Sequence, residues 1–119
     1  MTATVHPSVV VHHRLRAAFT GRPASRDELE LDTRGLRVHL GPWEVETPLG
    51  NLAGAELVAP IGLRLAQHDG ELVLGTSADP AVHIRFRTPV GRLGLRSVTA
   101  TVAEPALITA AISHIGGHR

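Results

Sequence analysis

Residues 36–58, LRVHLGPWEVETPLGNLAGAELV, decide the fold. Leu36, Val38 and Leu40 alternate with Arg37 and His39, the two-residue period of a strand with one buried face. Gly41-Pro42 interrupts the run, because proline has no amide to donate to a ladder. Trp43, Val45 and Thr47 then oppose Glu44 and Glu46 until Pro48 ends the pattern. From Leu52 to Val58, Ala53, Ala55 and Leu57 alternate with Gly54, Glu56 and Val58, and Gly54 marks an expected bulge or close contact. Short runs separated by turns, with no crossover helix between them, read as antiparallel strands.

The same pattern extends both ways. Upstream, Leu29 and Leu31 alternate with Glu28 and Glu30, and Asp32-Thr33-Arg34-Gly35 turns the chain back into Leu36, which predicts a hairpin. Val9, Val11, Leu15 and Ala17 fall at even spacing and predict a further strand, joined by the polar connection 21–27. Residues 1–7 carry no periodicity and are expected to form a flexible tail. Downstream, Leu63 and Leu65 lead to a turn at QHDG, followed by Leu72 and Leu74 and a connection at GTSADP. Val82, Ile84 and Phe86 then share one face, with His83, Arg85 and Arg87 on the other. Pro89, Gly91 and Gly94 predict a loop before a last strand, SVTATV. The expectation is eight or nine strands.

The period then changes. Leu107, Ile108, Ala111, Ile112 and Ile115 fall at helical spacing behind Glu104-Pro105, and Gly116-Gly117 is the expected stop. Strands followed by one terminal amphipathic helix exclude the alternation of a parallel βαβ fold. The predicted architecture is mainly β, a bent antiparallel sheet or small barrel with a C-terminal helix, in a single domain over 8–116 with a short tail at 117–119.

The order of elements resembles a pleckstrin-homology-like domain, in which two antiparallel sheets are closed at one corner by a C-terminal helix. More narrowly, the GPW turn at 41–43, the T-P-x-x-N segment at 47–51 and the IRF triplet at 84–86 resemble a small, uncharacterised actinobacterial protein family. The resemblance spans residues 26–115 and implies the fold, but no activity. Phosphoinositide-binding members of the wider fold carry a basic cluster around the first hairpin and a tryptophan in the terminal helix. Here that hairpin holds Glu28, Glu30 and Asp32 beside Arg34 and Arg37, and Trp43 lies in a strand, where burial is expected. Phosphoinositide binding is therefore not carried over.

Composition excludes several function classes. The 119 residues include no cysteine, which removes disulfides, thiolate metal sites and cysteine nucleophiles. All twelve cationic side chains are arginine, a bias that a GC-rich genome explains, and the net charge of +1 gives no general pull toward nucleic acid or membrane. With two phenylalanines and one tryptophan there is little to stack bases on, so nucleic acid is not an expected partner. No apolar run reaches the length of a signal peptide core or a membrane span, and a cytoplasmic protein is expected.

The best candidate site is the arginine set Arg85, Arg87, Arg92 and Arg96, which would hold phosphate or carboxylate if the loop after Phe86 gathered them on one side. The structural alternative is a solvated strand face paired with Glu44, Glu46, Glu56 or Asp79. Eight histidines suggest no metal centre: on a strand His12 and His13 would point to opposite faces, and glycines separate His114 from His118. The nucleophile-elbow, P-loop and dinucleotide signatures are absent, so neither a catalytic residue nor a cofactor is expected. Three functions follow as expectations: a non-catalytic domain binding a protein partner or itself through a sheet edge, a binder of small anions or acidic lipids, and an enzyme assembled from scattered His and Glu.

Overall fold

The computed structural model describes residues 15–21 and 27–117. The expected tail at 1–7, the Val9–Arg14 part of the first expected strand, residues 22–26 and residues 118–119 lie outside them. The chain forms β1 (Leu15–Ala18), β2 (Glu28–Asp32), β3 (Gly35–Leu40), β4 (Trp43–Thr47), a 3-10 turn (Leu49–Asn51), β5 (Leu52–Val58), β6 (Leu63–His68), β7 (Glu71–Thr76), β8 (Ala81–Val90), β9 (Leu95–Ala100) and α1 (Pro105–Gly117). The fold is mainly β with one C-terminal helix, as expected, and is consistent with a pleckstrin-homology-like bent sheet.

Among the described residues two sheets build it, ordered β1-β2-β3-β4 and β5-β8-β9-β7-β6, and neither closes into a barrel. The first is an antiparallel meander whose register sets Leu31 against Leu36 and Val38 against Val45, so the alternation read from the sequence places all four in the core. Trp43 is half-buried against that core. In the second sheet, β5 pairs with β8 through a register shift between Leu52 and Gly54, the expected irregularity. The Arg85 guanidinium lies where a Gly54 side chain would stand, which is the expected close contact as well.

Two features differ from expectation. Pro89 lies inside β8 rather than in a loop. The β8–β9 register shifts between Arg85 and Val90, so the proline sits where no regular ladder bond is asked of it. Second, β7 and β9 pair in parallel, Leu72 opposite Val98 and Leu74 opposite Ala100. The chain leaves β7 through Ser77–Pro80, passes over one strand position to β8, and the β8–β9 hairpin then folds β9 into the gap. That gap is about 10 Å, within reach of a four-residue connection.

The sheets are stitched at one corner. The Thr20 amide donates to the Thr101 carbonyl (3.0 Å) and the Ala103 amide to the Ala18 carbonyl (2.8 Å), around a bridge between Phe19 and Val102. Hydroxyls fill the seam: Thr101 Oγ1 accepts the Thr76 amide (2.8 Å), and the Thr76 hydroxyl donates to the Thr20 carbonyl. Thr76 and Thr101 are both buried, and these bonds satisfy backbone groups that no strand partner reaches.

Helix α1 closes the core with Ile108, Ala111, Ile112 and Ile115, and it packs on β5 and β8. Pro105 takes its first position, as expected, while the Glu104 carbonyl accepts the amides of Leu107 and Ile108. The helix continues through Gly116 to Gly117, so the glycines do not halt it before that point. No helix among the described residues is long and apolar enough to cross a membrane.

Candidate functional site

The four arginines are distributed rather than gathered. Arg85 and Arg87 project from the exposed face of β8. Arg85 Nη1 lies 3.0 Å from Glu56 Oε1 on β5, and both side chains are about half exposed, a solvated pair of small energetic consequence. Arg87 Nε donates to the Gly50 carbonyl at 3.1 Å. Arg92 stands in the turn 91–94, and Arg96 lays its Cγ and Cδ over Gly70, in the β6–β7 turn. Arg85 and Arg87 therefore make contacts on the β5 side, whereas Arg96 lies against the turn that leads into β7, beyond β9.

Cross-strand register also builds a charged face on the first sheet. Arg16, Glu30, Arg37 and Glu46 lie in one row across β1 to β4, with Glu28, His39 and Glu44 in the next. Arg37 is the centre: its Nη2 reaches Glu30 Oε1 at 2.6 Å and Asp32 Oδ2 at 2.7 Å. Asp32 also accepts the Arg34 amide at 2.9 Å, which fixes the β2–β3 turn. The hydrogen bond from Arg37 holds the Asp32 carboxyl at about 2, against an ordinary 3.8 and against the opposing push of burial. Asp32 and then Glu30 raise Arg37 in return. A hollow of about 160 Å³ opens on this face between Glu28, Arg37, His39, Glu44 and Glu46.

Asp32 predicts a pH dependence. Because its folded pKa is depressed, its contribution is complete above the unfolded value near pH 4 and is lost as pH falls through about 2. Asp32→Asn keeps an acceptor for the Arg34 amide but loses the ionic bond to Arg37. The variant is expected to be less stable at pH 7 by about 1–2 kcal/mol, with the deficit closing between pH 4 and pH 2. Urea titrations at four pH values across that window check it, and a deficit that does not shrink refutes the ionic role.

No protein family, curated protein or solved structure matches the chain. The residues themselves must carry the functional argument.

Three polar arrangements escaped the sequence reading because each joins residues far apart in the chain. His83 Nδ1 lies 2.8 Å from Thr99 Oγ1 across β8 and β9. Asn51 Oδ1 accepts both the amide (2.8 Å) and hydroxyl (2.9 Å) of Thr88, while its Nδ2 donates to Thr47 Oγ1 at 2.9 Å and to the Thr88 carbonyl. The third is the hydroxyl seam of Thr20, Thr76 and Thr101. The seam and the Asn51 bonds tie backbone segments together. The His83 ring has no carboxylate bonded to it among the described residues, so it lacks the orienting partner of a catalytic triad. No group of three or more metal-ligating side chains occurs among the described residues.

The sheet edges differ in how they are protected. β4 carries Glu44 and Glu46 and is bounded by Pro42 and Pro48, and β1 carries Arg16, which pairs with Glu28 on β2. β5 is covered by α1, where the Ser113 hydroxyl donates to the Ala55 carbonyl at 3.0 Å. β6 carries a single arginine, Arg64, but no proline next to either end and no covering helix among the described residues. Six regular pairs join it to β7, nothing among the described residues pairs with its other edge, and Leu63 and Leu65 are 82% and 50% exposed. Leu65 is opposite Leu74, a core residue, so the exposed leucines extend the core-facing side of the sheet beyond its cover.

Proposed function

We propose that the chain is a cytoplasmic, non-catalytic interaction domain of pleckstrin-homology-like type that docks an extended partner segment along the free edge of β6. The observation that supports this reading is the contrast among edges: β4 carries two carboxylates between prolines and β5 is covered by α1, whereas β6 is regular, proline-free and carries the exposed Leu63 and Leu65 beside a single arginine. An added strand would satisfy the outward amides and carbonyls of β6 and cover Leu63 and Leu65 in the same act. Kinship with the small actinobacterial family belongs to the same proposal. It is supported by the structural use of the T-P-x-x-N segment, whose Thr47 and Asn51 are hydrogen-bonded to each other.

The arginine face gives weaker support for an anion site. A ligand there has to displace Glu56 from Arg85 and the Gly50 carbonyl from Arg87.

A photo-reactive residue placed at Leu65, with a control at Arg85, tests the reading in cells expressing the full chain. A discrete protein adduct is expected from position 65 and none from position 85. No adduct at 65, or equal adducts at both, refutes it.

A further inference from the structure

We infer that the segment received by β6 is β6 of a second copy, paired antiparallel about a two-fold axis that passes beside Leu65. This rests on the reading of β6 as a docking edge and adds the identity of the partner.

The strand is complementary to itself in one register. For a two-fold axis perpendicular to the sheet, paired residues must share a face, so position numbers must differ by an even amount. Centring the axis on Leu65 sets Leu65 against its own copy, Leu63 against Gln67 and Arg64 against Ala66. No two like charges stand directly opposite. A register centred on Arg64 would oppose two guanidiniums, and one centred on Ala66 would set Arg64 against His68 and Leu63 against Asp69, in the turn. Leu63 and Leu65 lie on the core-facing side, and a perpendicular axis keeps that side common to both copies. The four leucines then form one apolar row across the junction, in a position where both leucines of each copy are exposed. Arg64 lies on the opposite, water-facing side, where solvent screens it from its symmetry mate. Pairing through one strand covers a small area, so the dimer is weak and concentration-dependent.

Sedimentation equilibrium of the full chain, from micromolar to about 1 mM, tests this. The wild type is expected to pass from monomer to dimer. Leu65→Lys and Leu65→Glu each place like charges on the axis and should weaken self-association at least about tenfold. An equimolar mixture of the two variants should recover a heterodimer, because the axis then brings lysine against glutamate. Leu65 is half exposed, and far-UV circular dichroism checks that both variants keep the fold. A wild type that stays monomeric, variants that dimerise like the wild type, or a mixture that fails to pair each overturns the inference. A monomeric wild type with a Leu65 adduct to a different protein removes the two-fold dimer and leaves the docking edge standing.

Discussion

Gly35→Ala is expected to destabilise the fold by about 3 kcal/mol or more, with a fall in Tm of roughly 10 °C or more. Two independent penalties meet at this position. Its φ of +134° lies in a region that side chains rarely adopt. A Cβ built there collides with the Thr47 carbonyl and stands 2.8 Å from Pro48 Cα. Both obstacles are backbone, so no rotamer change relieves them. Gly35 opens β3 beside the end of β4, and yielding would part the strands that set Leu36 against Thr47. Gly41→Ala separates the two terms, since Gly41 has a φ of +57° but nothing within 4 Å of its missing side chain. It should cost only about 1–2 kcal/mol. Equal melting points for the two variants would show that the collision is absorbed.

Local signals carried most of the secondary structure. Alternation at Leu29/Leu31, Leu36/Val38/Leu40 and Val82/Ile84/Phe86 located buried faces because a strand with one buried face forces a period of two, and Asp69-Gly70, at φ 50° and 82°, is the turn that a two-residue hairpin demands. Alternation is silent on which strand lies alongside. β9 shows the same pattern whether its neighbour runs with it or against it, so the parallel β7–β9 pair was not legible. Nor does parity report cover. Leu63 and Leu65 alternate as faithfully as Leu72 and Leu74, yet they are exposed while Leu72 and Leu74 are buried. Exposure depends on what packs against the sheet, a tertiary fact. The arginines illustrate the same limit: Arg85 and Arg87 were correctly placed on one face of β8, but the direction of Arg96 depended on the approach of β9 to Gly70.

Ile112→Ala is expected to cost about 2–4 kcal/mol, and its secondary effect is the more informative. Ile112 is fully buried, and its truncation leaves a cavity between α1 and the second sheet. The gain in helix propensity returns only about 0.4 kcal/mol. The helix is held by one stripe of four buried apolar residues, so a cavity at its centre weakens the docking of the whole element. β5 depends on that docking, because α1 covers it and Ser113 satisfies its Ala55 carbonyl. Hydrogen exchange should therefore accelerate in α1 and β5 before β7 and β9, and Leu57, already 51% exposed, should become part of a second adherent edge. Ser113→Ala, which deletes the hydroxyl and leaves the packing, should cost about 1 kcal/mol or less and leave β5 exchange nearly unchanged. Uniform acceleration across both sheets in Ile112→Ala would refute a helix that detaches first. Selective loss at β5 would mean that the same five-stranded sheet manages its two ends oppositely, one sealed by the helix and the other left free at β6.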